Sequence, residues 1–185
     1  MWAKVESGTI TEIINRPKAM TIGDVQYPHN IFNLWTNAEL KAINIYPVEI
    51  DYSKLKDKEY YTNTGITYTV MATKVKGTYG TATAKNLDDD GLVEGLKTRK
   101  KQKVNNQAYS KLQDSDWLVV RAADGGTAIP SAVSTYRTAD RTTANEMTTK
   151  IDNAAKVDAL AALYEYNSES PPTRPLGEWP TEPEE

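Results

Sequence analysis

Residues 114–141 read DSDWLVVRAADGGTAIPSAVSTYRTADR, and this stretch decides the fold of the second half of the chain. It holds an apolar cluster at residues 117–120, a break at Gly125-Gly126 and a proline at position 130. Glycine ends helices because it accepts left-handed backbone angles at little cost. Proline suits the first turn of a helix. The stretch therefore predicts two helices joined by a short glycine-containing connection.

A 3.6-residue period continues on both sides of this stretch. The following helix has an apolar face, and Asp140 and Ala144 lie on the same face. We expect Asp140 to be solvated or paired with Arg137 on the adjoining turn. The apolar face consists of Val133, Tyr136, Met147 and Ile151, and an earlier helical stripe consists of Leu92, Leu96, Val104, Ala108 and Leu112.

The N-terminal part alternates polar and apolar residues, as strands do. Residues 2–14 predict a hairpin that turns at Ser7-Gly8. Thr36 and Glu39 have the spacing of a capping box, which predicts a short helix over residues 37–43. Residues 66–75 predict one alternating strand, followed by a turn between Gly77 and Gly80. These elements predict a small, mostly antiparallel sheet.

The end of the chain changes in composition after Asn167. Five prolines fall within residues 167–185, together with Trp179. We expect this tail to be extended or disordered unless a partner holds it. The predicted fold class is α+β: a β-rich domain over residues 1–87, a helical domain of two to three helices over 88–166, and an extended Pro/Glu-rich tail over 167–185.

The overall charge argues against polyanionic partners. A net charge of −3 and a pI near 5.4 provide no general attraction to nucleic acid or to an anionic membrane. No run approaches the roughly 20 continuous apolar residues of a membrane-spanning helix. Eleven tyrosines and four tryptophans, against one phenylalanine, suit half-buried sheets and interfaces. We expect neither nucleic acid nor membrane as a partner.

The residues of common enzyme sites are scarce. The chain has no cysteine, and its one histidine, His29, lies in no catalytic motif. No set of zinc ligands and no phosphate-binding loop is present. A pair of carboxylates brought together by the fold stays possible. We expect no enzyme and assign no catalytic, cofactor-binding or metal-binding residue and no cofactor.

Two charged runs have alternative interpretations. Residues 88–90 are three aspartates, which resemble the start of a calcium loop but lack its alternating acidic positions. We favour acidic residues that offset the positive end of the following helix dipole. Residues 97–103 contain five lysines or arginines, which could bind phosphates. We favour a solvated helix face.

Three short motifs together resemble a known family. Asp116-Trp117 lies in a predicted helix, Tyr136-Arg137 and Arg141 follow on the next helix, and Trp179-Pro180 lies near the end. This combination resembles the tail assembly chaperone and tail-fibre-assembly group of bacteriophage proteins. The resemblance covers roughly residues 108–141 and the last seven. The chain departs from the pattern at Asp140, a position that is often apolar, and by an insertion over residues 142–177.

A weaker likeness lies nearer the N-terminus. Trp35, Glu39 and Leu40 lead into an Ile-Tyr-Pro-Val run at residues 45–48, which looks like segments of other phage tail proteins.

The resemblance implies a virion structural protein of the phage tail or the tail-fibre attachment region that works through protein–protein contacts. One alternative is a non-virion assembly chaperone in the host cytoplasm. Another is a tail protein that acts on or binds glycans. The implied partners are other phage tail or fibre proteins, with the chain as a homo-oligomer or part of a symmetric assembly.

The same resemblance implies which residues contact partners. Trp117 is expected to pack between the two helices. Arg137 and Arg141 are expected to pair with acids such as Asp114 or Asp116, or to lie at an interface. Trp179-Pro180 is expected to lie over the helices or on a neighbouring subunit. The partner-binding candidates are Trp117, Tyr136, Arg137, Arg141, Trp179 and Pro180.

Overall fold

The computed structural model describes residues 1–183 and has two compact units, Met1–Thr83 and Ala84–Glu185. The first unit is rich in strands and the second contains the long helices, so the fold is mixed α+β. The division into three domains at residues 87 and 166 stays a prediction, because compactness alone does not define independently folding parts.

A curled five-stranded sheet forms the centre of the first unit. Its strand order is β2-β1-β5-β8-β7, and all neighbours are antiparallel except β5 and β8, which run parallel. Two further pairs, β3 with β4 and β6 with β9, form small separate sheets. The strands are β1 (Trp2–Glu6), β2 (Thr9–Ile14), β3 (Met20–Ile22), β4 (Val25–Tyr27), β5 (Ile45–Asp51), β6 (Tyr61–Thr62), β7 (Ile66–Val70), β8 (Val75–Tyr79) and β9 (Thr83–Ala84).

The predicted hairpin and capping box are both confirmed. Strands β1 and β2 pair around Ser7-Gly8, whose φ angles are 49° and 80°. Two short helices follow β4, α1 (Ile31–Leu34) and α2 (Asn37–Ala42). Thr36 accepts a hydrogen bond from the Glu39 amide at 3.3 Å, and the Glu39 carboxylate accepts one from the Thr36 amide at 2.7 Å. Each end of the motif thus satisfies an amide that the helix leaves free.

The predicted single strand over residues 66–75 is wrong. The chain turns at residues 71–74, where the Met71 amide donates to the Lys74 carbonyl at 2.8 Å, and two strands result. Gly77, predicted to lie in a turn, is buried within β8. A Cβ there would lie 2.6 Å from Ile50 Cδ1 and 2.9 Å from Ile66 Cγ2. Glycine is therefore required by the close approach of neighbouring strands.

Apolar side chains fill the first unit in two clusters. One contains Ala3, Val5 and Val75. The other, beside the two short helices, contains Ile14, Ile31, Phe32, Leu40 and Ile45.

Two long helices form the frame of the second unit. Helix α3 (Leu96–Leu112) packs against α5 (Ser131–Asp152). A 3₁₀ turn (Gln113–Ser115) follows α3 and leads into α4 (Asp116–Ala123), and α6 (Val157–Ala162) follows α5. The predicted end of the helical run before Gly125-Gly126 is confirmed. The buried apolar side chains of this unit include Leu96, Val104, Tyr136, Met147, Ile151 and Leu160.

Helix α3 begins later than predicted. Leu92, placed on its apolar stripe by the sequence, is fully exposed. The helix starts at Leu96 because Asp89 binds its first turn. The Asp89 carboxylate accepts hydrogen bonds from the Gly95 amide at 2.7 Å and from Thr98 Oγ1 at 3.0 Å. These bonds lower the pKa of Asp89. An acid at a helix start, the interpretation favoured from sequence, accounts for this residue.

The basic side chains at the start of α3 make contacts within the second unit. Lys97 pairs with Asp88 at 3.0 Å and Lys101 with Asp152 at 2.7 Å. Lys100 is only 6% exposed, with its Nζ 4.1 Å from the centroid of the Tyr164 ring. The expectation of a solvated face is wrong at Lys100, because an amphipathic side chain can bury its stem and stack its charge on an aromatic ring.

The chain after α6 has neither helix nor strand through Pro183, the last described residue. Leu176 is nevertheless 2% exposed and joins the core. Its amide donates to the Leu163 carbonyl at 2.9 Å, and Lys150 donates to the Pro175 and Leu176 carbonyls at 3.0 and 3.1 Å. The tail is thus packed on helices of its own unit as far as this point.

Candidate partner-binding surface

The guanidinium of Arg137 holds the corner where α3 leads into α4. Arg137 projects from α5 and is 6% exposed. Its Nη1 donates to the Leu112 carbonyl at 2.7 Å and to Ser115 Oγ at 2.5 Å, and its Nη2 pairs with Asp116 at 2.7 Å. The Leu112 carbonyl is one that a helix end leaves free. One planar guanidinium therefore bonds to three acceptors, which lie at the end of α3, in the 3₁₀ turn and on the first residue of α4.

The pairing of Arg137 with Asp116 matches the sequence expectation. Arg141, one turn further along α5, is exposed. Asp116 is occupied by Arg137, so the two arginines have different roles. Arg137 is structural, and only Arg141 presents its charge to solvent.

Trp117 does not pack between the helices, so that prediction is wrong. Its side chain is 59% exposed, and the Arg121 guanidinium carbon lies 4.8 Å from the centroid of its ring. Helix α4 has no fully buried residue at all. Val119 is 38% and Val120 59% exposed. We call Trp117 and Val120, which lie three residues apart on one face of α4, the α4 patch. Apolar helix faces of this kind are rarely left uncovered.

A groove of about 370 Å³ lies beside the α4 patch. Its apolar walls come from Trp117 and Leu118 on α4 and from Val133 and Tyr136 on α5. Pro183 of the tail also lines it. Its polar lining is Lys111, Asp114, Ser115 and Glu182. Two of the predicted partner-binding residues, Trp117 and Tyr136, thus face one groove.

Tyr136 joins α5 to the tail at this groove. Its hydroxyl donates to Glu182 Oε1 at 3.4 Å. Burial, followed by the negative charges of Glu182 and Asp140, raises the pKa of Tyr136 to about 12. The hydroxyl therefore keeps its proton and stays a donor.

The predicted anchor Trp179 lies beside the groove. Trp179 and Pro180 are half-buried, and Lys111 Nζ is 6.0 Å from the centroid of the indole. Of the two positions expected for Trp179-Pro180, over the helices or on a neighbour, the isolated chain has the first.

Asp140 is a residue whose role the sequence interpretation missed. It was expected to be solvated or paired with Arg137, and both expectations are wrong. Its side chain has 0% exposure, and neither carboxylate oxygen has a hydrogen-bond partner within residues 1–183. Burial raises its pKa, although the positive charges of Lys111, Arg141 and Arg137 act in the opposite direction. The signal was present: Asp140 occupies the apolar face of α5.

The surface carries no arrangement typical of an enzyme with a metal. Among residues 1–183, no three His, Asp or Glu side chains gather as metal ligands would. His29 is exposed. None of the helices in this range is both long enough and apolar enough to cross a membrane.

Comparison with protein-family models, with curated proteins and with solved structures found no match to this chain.

Proposed function

We propose that the chain is a bacteriophage tail-associated virion structural protein that acts through protein–protein contacts and catalyses no reaction. Its place would be the tail or the tail-fibre attachment region. The motifs around Trp117, Tyr136 and Trp179 support the phage relationship. The observation that carries the contact role is the α4 patch, because an apolar helix face is held out in solvent by a buried arginine.

The energetics favour a partner on this patch. Fully burying one large apolar side chain contributes about 1.5–3 kcal/mol relative to leaving it exposed. Aromatic residues are enriched in interface cores, and tryptophan is among the commonest energetic hot spots. Covering Trp117 and Val120 with a tail or fibre protein, or with another copy in a symmetric assembly, would remove this cost of exposure.

Mass spectrometry of purified particles against crude lysate tests the virion role. We expect a fixed copy number of this chain in particles. Abundance in the lysate with absence from particles would instead favour the alternative, an assembly chaperone in the host cytoplasm that uses the same patch. Detection in neither particles nor infected lysate would contradict the phage relationship.

A variant test links incorporation to the α4 patch. The double variant Trp117→Ala, Val120→Ser should lower the copy number of the chain in particles. If the role is that of a chaperone, the variant should instead lower the amount of complex formed with the client protein. Leu92→Ala is the control, because Leu92 is fully exposed in the segment before α3, whereas α4 follows the other end of that helix. Equal incorporation of both variants would show that the α4 patch does not contribute to the function.

A second candidate is glycan binding by the groove. Asp114 and Glu182 line it together with Trp117 and Tyr136. Two carboxylates in a groove beside an exposed tryptophan ring are compatible with a protein that binds or acts on sugars. Titration with host-surface polysaccharide tests this candidate. Saturable binding that Trp117→Ala abolishes would support it, and binding unchanged by that substitution would exclude the groove.

A further inference from the structure

The tail is attached to the helical unit by two anchors of unequal strength. The inner anchor is Leu176, buried and held by hydrogen bonds to two neighbours. The outer anchor is the segment 178–183, in which Trp179, Pro180 and Pro183 are only half-buried. Its side-chain contacts to the helices include the 6.0 Å approach of Lys111 to Trp179 and the 3.4 Å bond from Tyr136 to Glu182.

Gly177 separates the two anchors. Its φ is +109°, a backbone conformation that side chains other than glycine rarely adopt. Rotation at this residue would move the outer segment and leave Leu176 in place, with loss of the 3.3 Å ion pair between Arg174 and Glu178. The outer segment is therefore the part of the tail that can leave the helices while the core stays intact.

The groove beside α4 is complementary to the outer segment. Lys111 offers a positive charge to the indole and Tyr136 offers a hydroxyl donor to the Glu182 carboxylate. Glu182 and Pro183 are themselves among the residues that line the groove, and Trp179 lies beside Lys111. The segment is thus seated along the edge of the groove, and it needs little ordering because proline restricts its backbone.

We propose that segment 178–183 exchanges between copies, so that the segment of one chain occupies the α4 groove of a second chain. The second copy presents the same groove and the same ligand, so every contact of the closed form is reproduced. In dilute solution a chain's own segment outcompetes the segment of a second copy, because its short linker gives it a millimolar effective concentration. Copies fixed side by side in an assembly remove that advantage, and exchange then links them. The six residues reach at most about 20 Å from Gly177.

A peptide of residues 177–183, labelled with fluorescein, measures access to the groove. In anisotropy titrations we expect binding at least ten-fold tighter to a chain ending at Gly177 than to the full chain, whose own segment competes. The full-length variant Trp179→Ala should also bind the peptide more tightly than the wild type, which covers the case in which the truncated chain fails to fold. A peptide carrying Trp179→Ala should bind at least ten-fold more weakly. Equal binding to wild-type and variant chains, or no binding to any, would overturn the proposal.

Exchange itself is measured between two labelled copies of the full chain. The chain has no cysteine, so Thr181→Cys in one copy and Ser134→Cys in the other each accept one dye. Both positions are exposed, and Ser134 follows Val133 at the groove. Energy transfer between copies should rise with concentration and disappear when the Thr181→Cys copy also carries Trp179→Ala. No transfer between the two labelled copies up to millimolar concentration would show that the tail does not exchange. Because this readout uses purified chain, it is independent of whether particles contain the protein.

Discussion

A single carboxyl group, that of Asp140, illustrates what one residue can do to the stability of this protein. Its oxygens are buried without hydrogen-bond partners among the described residues, and its pKa is raised. A raised pKa means that the folded state holds the proton more tightly than the unfolded state. The free energy of unfolding therefore falls as pH rises from the ordinary carboxyl pKa, about 3.9, to the folded value.

We expect Asp140→Asn to remove this dependence. At pH 7 the variant should have a higher free energy of unfolding than the wild type, because the loss of stability that comes from ionising a buried carboxyl group is removed. Below about pH 4 the difference should vanish, since the wild-type carboxyl is then protonated in both states. Denaturant unfolding at several pH values measures this. The exposed Asp124→Asn serves as control, and a difference that stays constant with pH would indicate a packing effect instead.

Arg137 is the second residue with a large expected effect. Arg137→Met removes three hydrogen bonds and leaves the Leu112 carbonyl and Asp116 without that partner. We expect a loss of about 2–4 kcal/mol in the free energy of unfolding. Amide hydrogen exchange should accelerate most over residues 113–123. Arg141→Met, on the same helix but exposed, should change stability by less than about 0.5 kcal/mol. Similar losses in both variants would mean that the corner does not depend on Arg137.

At the scale of elements, β8 shows why strands can come close only where a side chain is missing. Gly77→Ala would put a Cβ within 2.9 Å of side-chain carbons of two neighbouring strands. We expect a loss of about 1–3 kcal/mol from overpacking. Gly65→Ala is the matched control, because nothing lies within 4 Å of its added Cβ. Thermal unfolding distinguishes the two, and a control as destabilised as Gly77→Ala would point to backbone entropy or propensity rather than packing.

Local patterns predicted the elements that depend on local interactions. Three features were predicted because the residues that form them are close in sequence. They are the hairpin around Ser7-Gly8, the capping box of Thr36 and the apolar face of α5. The turn at residues 71–74 escaped prediction because it contains no glycine, proline or asparagine. The place of Gly77 depends on Ile50, which comes from a strand distant in sequence.

The candidate surface was harder to predict, because burial is decided by tertiary packing. The resemblance implied that Trp117 packs between the two helices, whereas α4 leaves it in solvent. The burial of Asp140 required knowing that α5 packs against α3. The sequence did predict the pairing of Arg137 with Asp116, because opposite charges on adjacent helices can form an ion pair.

At the scale of the whole molecule, we expect a substitution in the α4 patch to weaken partner binding while leaving the free energy of unfolding nearly unchanged. Trp117→Ala should change the free energy of unfolding by less than about 0.5 kcal/mol, because the side chain is mostly solvated. The same substitution should weaken binding to the natural partner by at least ten-fold, the effect expected of a hot-spot tryptophan. Calorimetric unfolding and a binding titration measure the two effects. A large drop in melting temperature with unchanged affinity would identify Trp117 as a residue of the fold alone.

The corner held by Arg137 has a consequence for the speed and selectivity of recognition. A short helix beside a glycine-containing connection would ordinarily fray and sample many directions. Here its first turn is fastened to α5 through Ser115 and Asp116. A partner therefore meets a preorganised ridge, loses little conformational entropy on docking, and can discriminate by shape from the first encounter.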